Sequence, residues 1–156
     1  MKRLLLAAAL TIAGPAIADN YLDTQFGPYG WEVHLLKATV ANDVLTVAFM
    51  IENTGTDGER MDLLDVTEVV YTTSDKKFPV LQDANGDYLA SPITYEQSSD
   101  DGNLFRGPDA QGSTIYMSGG EKQVGWVKFE APGDTDWPVD LSLPGVSPFV
   151  IAKPSQ

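Results

Sequence analysis

The chain contains no cysteine and only one histidine, His34, among its 156 residues. The missing cysteine removes thiol nucleophiles, thiolate metal ligands and disulfide cross-links together. A stable fold must then rest on apolar burial. It also excludes a lipid-anchored bacterial lipoprotein, which needs a cysteine behind its apolar leader. Basic residues are scarce. Ten Lys and Arg stand against 22 Asp and Glu, a formal net charge of −12. Such a surface repels phosphate backbones and anionic head groups, so nucleic acid is not an expected partner. Long apolar runs are missing as well. The longest, Leu4 to Ile12, is too short for a span of about 20 residues, and no membrane anchor is expected.

The chemistry-bearing residues are correspondingly sparse. One histidine cannot supply the several His or Cys ligands of a zinc site. It has no Gly-x-Ser-x-Gly elbow to make it part of a hydrolytic triad. Met50, Met61 and Met117 lack the Met-x-Met or His-x-Met spacing that a soft-ligand copper site with His34 would use. Asp83, Asn85 and Asp87 begin like a calcium loop. Tyr88 and Thr94, however, stand at the sixth and twelfth positions, where Gly and Glu are required. Asp100, Asp101, Asp134 and Asp136 could gather weak calcium in acidic loops, but acidic loops are common without it. No catalytic set, metal ligand or cofactor is therefore assigned. Folding is expected to be independent of metal.

What is present begins with an export signal. Lys2 and Arg3 form a positive start, Leu4 to Ile12 an apolar core, and Gly14-Pro15 a break. Ala16-Ile17-Ala18 supplies the small residues of a peptidase site, which places cleavage between Ala18 and Asp19. Residues 1–18 are then a signal peptide of bacterial type, and residues 19–156 one domain, periplasmic or secreted. Losing Lys2 and Arg3 makes that domain more acidic still.

Asp19 to Gly30 reads as an arm whose Tyr21, Phe26 and Tyr29 pack it down. Thereafter the pattern has period two. Trp31, Val33 and Leu35 alternate with Glu32 and His34, and Leu45, Val47, Phe49 and Ile51 mark one face of a strand from Val44 to Glu52. Turns are expected at Ala41–Asp43, Asp83–Asp87 and Ser118–Gly120. Ser91 to Gln111 reads as a long polar loop. Further strands are expected around Leu63–Val66, Glu68–Thr73, Lys77–Gln82, Thr114–Met117, Gln123–Glu130, Val139–Leu143 and Pro148–Ala152. About seven or eight short strands and no amphipathic helix predict an all-β sandwich or barrel.

Two stretches give that prediction a more definite form. Val44 to Asn53 is an alternating strand ending in Asn before a Gly/Thr loop. Gly119-Gly120-Glu121 is followed by Gly125-Trp126-Val127-Lys128-Phe129. Together they resemble the immunoglobulin-like domain of secreted bacterial proteins typified by the mycobacterial immunoprotective extracellular protein. The resemblance covers roughly residues 31–145. It implies an exported antiparallel immunoglobulin-like β-sandwich, and it supplies no catalytic residues. It also implies that Val44–Glu52 and Gln123–Glu130 are neighbours.

The function this favours is a non-enzymatic interaction domain. Its partner would be another envelope or extracellular protein, or a glycan. A small hydrolase acting on carbohydrate or peptide and a periplasmic metal carrier are the alternatives. If Val127 and Phe129 face the core, parity sends Val124 and Trp126 outward beside Thr46, Ala48 and Met50, with His34 joining from the preceding strand. His34, Thr46, Met50, Val124 and Trp126 are thus the candidate interaction face. The competing expectation is that the arm folds back and covers it.

Overall fold

The structure, a computed structural model, describes residues 20–97 and 102–154. The signal segment and its cleavage pair Ala18 and Asp19 lie outside the described residues, as do Asp100 and Asp101. The fold is all-β. Its strands are β1 (Asp23–Phe26), β2 (Trp31–Ala41), β3 (Val44–Asn53), β4 (Glu59–Asp62), β5 (Leu64–Asp65), β6 (Val70–Thr72), β7 (Lys77–Pro79), β8 (Ala90–Ser91), β9 (Ile93–Thr94), β10 (Phe105–Arg106), β11 (Thr114–Met117), β12 (Lys122–Glu130), β13 (Val139–Ser142) and β14 (Phe149–Ile151). No helix among the described residues is long and apolar enough to cross a membrane.

The largest sheet has the order β1-β2-β3-β12-β8, and a second has the order β14-β13-β6-β7. Both are antiparallel throughout. They share one core, as a sandwich does. Leu45, Val47, Phe49, Val127 and Phe129 from the first sheet meet Tyr71, Val139, Leu141 and Phe149 from the second. Tyr71 and Phe129 touch edge to face across the layer, ring centroids 5.3 Å apart. The Tyr71 hydroxyl donates to the carbonyl of Glu130 at 2.8 Å, so a large ring is buried without orphaning its polar tip.

The β2–β3 hairpin forms as the residues dictate. Asn42 and Asp43 both take positive φ, 50° and 60°, which a two-residue turn between twisted strands requires and these side chains tolerate. At the far end of β3, Asn53 is buried and ties distant segments together. Its side-chain amide donates to the carbonyls of Met117 at 3.0 Å and Asp57 at 2.9 Å, and its Oδ1 accepts the Gly55 N–H. The backbone N–H of Gly120 adds a bond to its carbonyl.

Two expectations need correction. The strands are more numerous and shorter than the seven or eight anticipated, because several are only two residues long, below the length at which alternation is visible. The segment 91–111 is not one polar loop. It carries β9 and β10, and β10 lies parallel between β5 and β9. Leu104 and Phe105 enter the core, Phe105 meeting Phe49 edge to face at 5.7 Å. Gly125 makes room for this. A Cβ there would stand 2.7 Å from a methyl of Leu104 and 3.3 Å from the Ser91 carbonyl.

Candidate functional site

The outer face of the largest sheet follows from its register. His34 stands opposite Met50, and Met50 opposite Val124. Directly opposed residues of antiparallel strands share a face, so these three form one row. On one side lies the row Glu32, Glu52 and Lys122; on the other lies Lys37, Ala48 and Trp126, then Thr39, Thr46 and Lys128. The five candidate residues therefore do sit together on one face. They do not share one environment.

The His34 end is covered. β1 pairs with β2 over residues 32–35, bringing Thr24 opposite His34. Thr24 Oγ1 lies 2.8 Å from Nδ1 of the imidazole, and the Tyr21 ring stacks on it with centroids 4.1 Å apart. Nε2 faces two carboxylates, Glu52 at 3.3 Å and Glu32 at 3.6 Å. These are ion-pair distances without hydrogen-bond alignment. Lys122 closes the group, its ammonium 3.3 Å from Glu52, and this contact raises its pKa above the usual lysine value. His34 is 3% exposed and Met50 7%. Both therefore leave the list of surface contacts: the arm supplies a fourth strand edge and an aromatic lid that parity alone could not place.

The other end is open. Val124 is 54% exposed, and Thr46 and Trp126 are half-buried. The Lys128 ammonium sits 5.4 Å from the centre of the Trp126 ring, within reach of a cation–π attraction. Lys37 is exposed and reaches this face through an irregularity. Leu35 opposes Phe49 and Lys37 opposes Ala48, so Leu36 is an extra residue in β2. The bulge reverses the parity of everything after it. Ala38 turns to the core beside Val47, while Lys37 and Thr39 turn outward. Simple alternation from His34 assigns them the opposite way, which is why both were missed. The one sequence signal is Leu35-Leu36, two adjacent apolar residues inside an alternating strand. Ser91 of β8, opposite Trp126, completes the row.

A separate cavity of about 360 Å³ opens beside the turn that follows β1. Trp31, Val33, Ile51 and Met61 line its apolar part, and Asp62, Glu68 and Arg106 its polar part. Arg106 is paired with Asp65 at 3.1 Å. His34 is not among its lining residues. Among the described residues no group of His, Asp and Glu is arranged to hold a metal ion. No protein-family model, no curated protein and no solved structure matches this chain.

Proposed function

We propose that this chain is an exported, non-enzymatic interaction domain of the immunoglobulin-like kind, and that the open half of the outer face of its largest sheet makes the contact. Export is supported by the ordered signal features ending at Ala18. The immunoglobulin-like reading is supported by the antiparallel pairing of β3 with β12 and by a second sheet sharing their core. One observation carries the functional reading. The arm buries His34 and Met50 but leaves Trp126 and Val124 accessible on the same face. An aromatic and an aliphatic side chain left accessible on an acidic surface form the kind of anchor that interfaces use. The partner is an envelope or extracellular protein or a glycan, met in the periplasm or outside the cell.

The test is capture from native envelope extract by the immobilised domain, compared with Trp126→Ala and with Val150→Ala on the opposite sheet. A partner retained by the parent and by Val150→Ala, and lost by Trp126→Ala, supports the reading. Equal retention by all three would remove this face from the function.

A further inference from the structure

We infer that the open half of this face recognises a carboxylate-bearing saccharide; this rests on the interaction reading above and names its ligand class. The argument is one of local charge and shape. The chain is strongly acidic, and several of its cations are already engaged. Lys122 is paired with Glu52, Arg106 with Asp65, and Lys153 with Asp134. Arg60 lies over the Tyr116 ring. Lys37, Lys76, Lys77 and Lys128 form no ion pair among the described residues, and of these the register places Lys37 and Lys128 on the Trp126 face, in adjacent rows either side of the Thr46–Ala48 stretch of β3. Two ammonium groups outside any ion pair, one of them resting over the Trp126 ring, favour an anionic ligand at that spot on an acidic protein. The Debye length is about 8 Å at physiological ionic strength, so contact charges outweigh the acids elsewhere on the molecule.

The remaining groups select the body of that ligand. Trp126 offers an apolar ring surface, and the hydroxyls of Thr39, Thr46 and Ser91 border it in the same rows. These positions lie on one paired sheet face. A pyranose ring has an apolar face to lay on the indole and hydroxyls to exchange hydrogen bonds at its edge. A carboxylate on the ring then reaches Lys37 or Lys128, drawing the latter from its place over the indole. Glu130, exposed and two residues beyond Lys128 on the same side of β12, bounds the patch at that end. A second copy of the chain seated symmetrically is disfavoured, since a two-fold axis through the patch would set lysine against lysine.

Affinity electrophoresis of the folded domain through gels containing alginate, a uronic acid polymer, or neutral dextran tests this. The parent should be retarded by alginate and not by dextran, with retardation falling between about 0.05 M and about 0.5 M salt. Lys37→Gln with Lys128→Gln should weaken retardation about tenfold or more, a loss of about 1.4 kcal/mol or greater. Lys76→Gln with Lys77→Gln, the same charge change elsewhere, should not. Circular dichroism confirms that each variant is folded. Retardation unchanged in the Lys37/Lys128 variant, or equal in dextran, overturns the proposal. Trp126-dependent capture of a protein from extract without alginate binding overturns the saccharide assignment and leaves the interaction reading standing.

Discussion

Tyr21 lies flat over His34, the two rings 4.1 Å apart and 21° from parallel, and so closes one half of a sheet face that is open in its other half. The contact joins the arm to three strands. His34 belongs to β2, its carboxylate neighbour Glu52 to β3, and Lys122, which also bonds Tyr21, to β12. Removing the lid therefore loosens the arm before it loosens the core. Tyr21→Ala is expected to raise amide exchange across Asp23–Phe26 by at least several-fold and to cost about 1 kcal/mol of global stability. Hydrogen-exchange mass spectrometry reads both regions separately; unchanged exchange in β1 would show that backbone pairing alone holds the arm.

Asn53 is the second point where little chemistry holds much chain. Its side chain satisfies the carbonyls of Asp57 and Met117, 64 residues away, and the Gly55 N–H. Asn53→Ala leaves a buried acceptor unpaired and is expected to cost about 2–4 kcal/mol in urea unfolding. Asn53→Asp should be no better, because a carboxylate cannot donate to either carbonyl.

Tyr71 makes stability depend on alkaline pH. Burial, with the charges of Glu130 and Asp136 behind it, pushes its phenol up to about 12 from an ordinary 10.0. A group whose pKa is raised by folding favours the protonated native state. Its contribution is complete below about pH 10 and is lost as pH rises through about 12. Unfolding free energies measured across that window should fall in the parent and fall less steeply in Tyr71→Phe. Parallel curves would place the alkaline sensitivity elsewhere.

Trp126 and Phe129 lie three residues apart in β12 but on opposite faces, and truncation should separate them. Phe129→Ala empties core space and is expected to cost about 3–5 kcal/mol. Trp126→Ala loses only part of its area and the Lys128 contact, about 1–2 kcal/mol in all. Thermal melts of the two variants give the comparison. Losses of equal size would mean that the indole is as buried as the phenyl ring.

The regular strands were legible because their residues alternate over many positions. Leu45, Val47, Phe49 and Ile51 expose one face of β3 to simple counting, and all four are core. The all-β class follows from such runs, whereas the pairing of β3 with β12 was implied only by the resemblance of those two stretches to an immunoglobulin-like domain. Three things were hidden. Phe105 sits in a strand of two residues, too short for a period, and its burial depends on the notch at Gly125. Whether the arm covers His34 stays open between two expectations in the sequence, and how far along the face it docks is a tertiary contact with no local sign. Lys37 and Thr39 lay on the wrong side of a parity count that a single inserted residue reverses.

That inserted residue, Leu36, has a consequence for how the strand can vary through descent. Deleting it would leave Trp, Val, Leu, Ala and Val on one side of the strand and Glu, His, Lys, Thr and Ala on the other, the same side chains that each side carries with the bulge in place. A related chain one residue shorter here would thus keep the composition of both surfaces intact. It would lose only the local kink, whereas a deletion at any position from Trp31 to Leu35 without loss of the bulge would invert the register of the residues before it. Length variation in this strand should concentrate at a single position, and a gap found there would mark continuity of the face, not its loss.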